Sequence, residues 1–181
     1  MQLRNLALLA LTACGSDPVS YSSPVGINLK AESGAVNGTT ISDEKSITTE
    51  SGNPYGAFVT EAGNKLGHEP GRVEIDELVL TLGANSTGVT ALEQVYTGAT
   101  EVLFTMGDSN NTYVVGGVNN PKGTSVDVGV AFESQDVAEQ DWAKFLGGSF
   151  KVVIRGTAAT DFATKGAKAD LQLTFTFAAF E

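Results

Sequence analysis

Ser109 sits in the string FTMGDSNNT, residues 104–112, just past an apolar stretch, where a hydroxyl could act as a nucleophile. A serine attacks only when a neighbouring base takes its proton. The sequence holds a single histidine, His68, in the turn-like string GHEPG, and no histidine follows Ser109. Carboxylates for glycoside hydrolysis could be drawn from Glu74, Asp76, Glu77, Glu93 or Asp127, because that chemistry needs two acids flanking one bond. Glu74 and Asp76, however, share a strand face opposite Val73 and Ile75, which is the ordinary polar side of an amphipathic strand. Oxygen ligands are plentiful, so calcium is the ion this composition permits. Asp108 and Asn110 are the candidate ligands, with residues 42–44 as a second source, although neither segment has EF-hand spacing. One cysteine and one histidine exclude an internal disulfide, a CxxC redox pair, and zinc sites built on several Cys or paired His. No cofactor is expected.

The residues Gly107-Asp108-Ser109 resemble the GDS block of GDSL-type esterases, which implies a serine nucleophile served by a downstream Asp-x-x-His. That second motif is missing here, and so are the alternating helices of that fold, so the esterase reading is set aside.

The lone cysteine carries a different chemistry. Leu6 to Ala13 read LALLALTA, preceded by Arg4 and ending at Cys14. Eight apolar residues are too few to span a bilayer, which takes about 20 residues, but they suit the core of a signal peptide. Leu11-Thr12-Ala13-Cys14 resembles the bacterial lipobox. The resemblance implies cleavage between Ala13 and Cys14, a diacylglycerol on the Cys14 thiol, and attachment to a membrane. Each buried methylene of an acyl chain contributes about 0.8 kcal/mol, so two or three chains hold stably. Gly15 rather than Asp follows the cysteine, which favours the outer membrane over the inner in enteric bacteria. The domain reading is thus a signal peptide over 1–13, a lipid anchor and Ser/Pro/Gly-rich tether over 14–24, and a folded domain over 25–181.

That folded domain is acidic. The chain has 21 acidic and 11 basic residues and a formal charge of −10, a balance that repels phosphate backbones and anionic lipid surfaces and argues against nucleic-acid partners. With 41% hydrophobic and 18% charged residues the composition is globular.

Alternation supplies the strands. Val25, Ile27, Leu29 and Ala31 alternate with polar neighbours; Val73 and Ile75 do so, then Leu78, Leu80 and Leu82 in the opposite phase, so a bulge is expected at Asp76-Glu77. Val102 to Met106, Val126 to Phe132, Phe150 to Ile154 and Leu171 to Phe177 alternate as well, and 39–48 and 112–118 do so less cleanly. Asn53-Pro54 predicts a helix start, with Tyr55, Phe58, Val59, Ala62 and Leu66 on one face and a stop at Gly67. A capping box at Thr90-Ala91-Leu92-Glu93 predicts about two helical turns, and Ser134 is expected to cap a helix ending at Gly147-Gly148. Trp142 lies at helical spacing from Phe145 and Leu146, which points to the core. Tyr21, Tyr55, Tyr96 and Tyr113 are too dispersed to suggest a cleft. The closing DLQLTFTFAAFE also fits the last strand of an outer-membrane barrel, but the strands are short for one.

The expected architecture is mainly β, an antiparallel two-sheet β-sandwich with a few short helices in its connections. The expected function is that of a lipid-anchored, non-enzymatic structural or interaction subunit with an envelope protein as partner. The alternative is a module binding a glycan or small solute, with or without calcium.

Overall fold

A computed structural model describes residues 19–50 and 52–181. The signal segment, Ala13 and Cys14 lie outside the described residues. The described chain is mainly β and forms two antiparallel sheets. One sheet runs β1 (Ser20–Glu32), β9 (Lys168–Phe180), β3 (Arg72–Leu82) and β6 (Ser125–Asp127). The other runs β2 (Thr40–Ile47), β8 (Phe150–Ala158), β4 (Tyr96–Met106), β5 (Thr112–Asn119) and β7 (Gly129–Val130). Among the described residues no helix is long and apolar enough to cross a membrane.

The period-two pattern places the core between the sheets. Val25, Ile27 and Leu29 of β1, and Leu171, Leu173, Phe175 and Phe177 of β9, are buried, while their even-numbered or intervening neighbours face out. Phe104 of β4 reaches across, with its ring centroid 5.7 Å from Phe175 and 5.0 Å from Phe150. Burying such aromatics contributes about 25 cal/mol per Å² of apolar surface.

Three sequence expectations take physical form here. The phase slip in β3 is a register shift between Ile75 and Glu77, which skips Asp76 and turns Leu78, Leu80 and Leu82 inward. Helix α1 (Pro54–Leu66) opens with Asn53, whose side-chain oxygen accepts from the Tyr55 amide, and ends on Gly67 at φ 79°. Residues 39–48 give β2, which is an edge strand.

Four differences are equally instructive. First, β1 begins at Ser20 and takes in residues 20–24, which the composition assigns to the tether. Pro24 fits there because β1 is an edge, and the missing N–H lies on its unpaired side. Second, Val126 to Phe132 is not one strand. The segment leaves one sheet after Asp127 and joins the other at Gly129, with the Val128 amide donating to Leu78 O and the Ala131 amide to Val115 O. Gly116 permits that crossing, since a Cβ there would lie 2.5 Å from Gly129 O. Third, the Thr90 box yields a single 3-10 turn, Leu92–Gln94, in which Gln94 rather than Glu93 accepts from the Thr90 amide. Glu93 is drawn away to the Gly123 amide at 2.7 Å. Fourth, α2 (Glu139–Leu146) starts five residues beyond Ser134, whose side chain makes no cap.

Candidate functional site

The end of the sandwich near α2 gathers polar side chains that are far apart in the chain. Asp141, in the first turn of α2, has no exposed surface of its own. It lies one side chain deep, beneath groups that are themselves partly exposed. Ser109 Oγ donates to its Oδ1 at 2.8 Å, while Asn111 Nδ2 and Tyr113 OH donate to Oδ2 at 2.7 and 2.9 Å. Lys144 Nζ stands 3.5 Å from Oδ1 and donates to Gly107 O at 3.0 Å. The Tyr113 hydroxyl also accepts from the Ala138 amide at 3.1 Å, so it satisfies a free donor at the start of α2.

Local geometry explains how the hairpin delivers these groups. Between β4 and β5, Asp108 and Asn110 adopt φ 62° and 55°, the left-handed region that Asp and Asn tolerate better than most residues. The tight loop turns Ser109 and Asn111 toward α2 and leaves the Asp108 side chain exposed. The hydrogen bond from Asn111 does most to hold the Asp141 carboxyl at about 2, aided by Ser109, Tyr113 and Lys144 against the cost of burial. Burial raises the Tyr113 phenol, and its hydrogen bond to the Asp141 carboxylate adds to the rise.

The chemistry of this cluster follows from those values. A carboxylate that ionises near 2 is a poor base, and Ser109 donates to it without being activated. His68, whose ring meets the Glu69 carbonyl at 2.8 Å, sits in its own exposed turn. The cluster fastens the β4–β5 hairpin to α2.

The remaining sequence candidates are scattered. Glu74 pairs with Arg72, Glu77 accepts from Thr176 Oγ1, and Glu93 holds the Gly123 amide. Asp76 accepts from Ser22 Oγ at 3.4 Å, and Asp127 ends the three-residue β6. Asp108 and Asn110 share a loop, but no group of three or more His, Cys, Asp or Glu able to hold a metal occurs among the described residues. Of the tyrosines, Tyr113 joins the Asp141 cluster, whereas Tyr55 is a core residue: its ring lies 5.8 Å from Phe145 and 5.5 Å from Phe177, and its hydroxyl donates to Phe145 O at 2.9 Å. Trp142 is half-buried rather than in the centre of the core, 5.6 Å from Phe145, and lines a cleft with Val59 and Pro70.

A second feature lies at the opposite end of the molecule. A groove of about 460 Å³ runs beside β1 and is lined by Asn28 and Lys30 of β1, Asp43 and Lys45 of β2, and Asn85 and Gln172. Asp43 accepts from the Lys30 amide at 2.7 Å and so bridges the two sheets at their edges. The groove offers amides and charges of both signs, which suits a polar ligand or a peptide more than an apolar one.

Sequence reasoning missed Asp141 and the groove. Asp141 carried one readable signal, since it stands four residues before Phe145 on the inward face of a helix, where an acid demands partners. The groove carried none, because its lining comes from strands that only the topology brings together.

Comparison with known proteins gives no family. No family model matches the chain. No curated protein matches it. Among solved structures it is similar to a chain of Desmodium yellow mottle tymovirus, at 11% identity over 100% of this chain and 91% of that one, with a TM-score of 0.31. A likeness at that score says nothing about fold or function.

Proposed function

We propose that the chain is a bacterial lipoprotein, anchored through Cys14 in the cell envelope, whose β-sandwich is a non-enzymatic interaction subunit of a larger assembly. The observation that carries the reading is the lipobox Leu11-Thr12-Ala13-Cys14 placed just ahead of a folded domain. β1 begins six residues after Cys14, so at about 3.3 Å per residue the tether spans at most about 20 Å. The Ser20 end, where Phe180 and Arg72 lie alongside, is then the end nearest the bilayer. Gly15 favours the outer membrane. The acidic balance of the chain supports a protein partner over a nucleic acid.

Native mass spectrometry of the full chain, extracted in mild detergent from a producing bacterium, tests this. A diacylated chain beginning at Cys14 inside a larger complex is expected. A chain that still begins at Met1, or a Cys14→Ser variant that partitions into membranes as well as the parent, overturns the anchor.

The polar groove favours a second reading, a ligand-binding module. Thermal stabilisation by saccharides or calcium supports it; flat responses count against it.

A further inference from the structure

The free edge of β1 is guarded at two places and open between them. In an antiparallel ladder each residue points both its N–H and its C=O to the same side. The Lys30 amide turns away from β9 to meet Asp43, and the pairing of β1 with β9 runs without a shift. Asn28, Gly26 and Pro24 therefore turn the same way, outward. Pro24 has no N–H to offer, and Asp43 already occupies the Lys30 amide. Between these stops, the backbone groups of Gly26 and Asn28 have no hydrogen-bond partner among the described residues. The polar groove lies directly beside Asn28.

We propose that this groove is a strand-addition site, which takes a short, extended, basic segment of a partner protein against the Gly26–Asn28 edge. Backbone pairing supplies the recognition, as in other sheets that accept an added strand. The guards at Pro24 and Asp43 limit the site to a short stretch, which keeps the edge from templating open-ended aggregation. A peptide suits the groove better than a saccharide because no aromatic ring lines it to stack on a sugar face. A basic segment suits it because the chain as a whole carries −10; the lining itself is balanced, with Asp43 and Asp170 set against Lys30 and Lys45 and Glu44 already paired with Lys151. The groove lies eight residues along β1 from Ser20, about 26 Å, so an anchored protein presents it away from the bilayer.

This inference deepens the interaction-subunit reading and names the partner chemistry. The test uses the full-length chain in detergent and the acetylated, amidated hexapeptide Val-Lys-Val-Lys-Val-Lys, followed by amide NMR. The Gly26 and Asn28 amides are expected to shift and to exchange more slowly when the peptide is added. Asn28→Pro, which removes an outward N–H as Pro24 already does, is expected to bind about tenfold more weakly while staying folded and melting within about 4 °C of the parent. Unchanged amides at millimolar peptide overturn the proposal, as does parent-like binding by Asn28→Pro. Shifts of the Asn85 and Gln172 side-chain amides with chitotriose, and none with the peptide, overturn it in favour of a saccharide. The mass at Cys14 is read separately, so loss of the anchor and failure of the groove remain distinct results.

Discussion

The two ends of the sandwich treat polar groups in opposite ways. Near Ser20, the buried Asp141 receives three donors, the Tyr55 hydroxyl reaches Phe145 O, and the Tyr113 hydroxyl both donates and accepts. Midway along β1 and toward the far end, Gly26 and Asn28 leave backbone groups open among the described residues. Among the described residues, the buried side-chain atoms without a partner, Tyr96 OH and Thr100 Oγ1, lie on the first half of β4, toward the far end. Burial, with Asp43 nearby, drives the Tyr96 phenol far above its usual range. The Asp141 cluster spends its hydrogen-bonding capacity within the fold, whereas the outward edge of β1 keeps backbone groups that a partner can use.

The sharpest break of that comparison is Phe145→Ala. Phe145 is fully buried and its ring meets those of Tyr55, Phe104, Phe132, Trp142 and Phe150. Its loss is expected to cost about 3–5 kcal/mol in urea unfolding. A cost below 1 kcal/mol would show that the α2 end is not the fastened one.

Asp141→Asn comes next and has a signature in pH. The folded carboxyl ionises at about 2 and the unfolded one at 3.8, so the folded chain holds fewer protons in that window. The stabilisation is therefore complete above the unfolded value and disappears as pH falls through the folded one. The parent is expected to lose stability as pH drops from about 4 toward 2 more steeply than the variant. Parallel melting-temperature profiles for the two would contradict the carboxylate network.

The same substitution at the two ends offers a paired test. Tyr55→Phe removes the hydroxyl bond to Phe145 O, which keeps the Gly148 amide at 3.1 Å, and is expected to cost about 1 kcal/mol. Tyr96→Phe removes a hydroxyl without a partner and is expected to be neutral or mildly stabilising. Equal losses at both positions would erase the distinction. Last, Asn28→Pro keeps every β1–β9 ladder bond because its amide turns outward, and is expected to cost about 1 kcal/mol or less, the backbone cost of fixing φ on an edge strand. A loss above 2 kcal/mol would mean that the Asn28 amide is bound in the native fold.

Local chemistry made much of the fold legible. Asn53, Pro54 and Gly67 bracket α1 because capping needs only neighbours in the chain. The change of phase at Asp76 announces the bulge, since a strand shows its faces through a period of two. The run from Val126 to Phe132 misled because the period is the same whichever sheet a strand joins, and Val128 is buried on the way across. Ser134 and Glu93 are each able to cap a helix locally, yet the Tyr113 hydroxyl serves α2 and the Gly123 amide claims Glu93. The Asp141 cluster spans about 30 residues of sequence between partners, beyond the reach of any motif.

What the sequence determined by itself is what depends on near neighbours: the alternation that makes two apolar sheet faces, the helix ends, the bulge, and the acidic balance that sets the character of the surface. What only the tertiary structure decided is which strands lie at an edge, which outward amide is guarded and which is free, and which acid finds its donors. Those outcomes depend on distances between residues remote in the chain, and such distances are fixed by the packing of the sheets rather than by spacing along the chain.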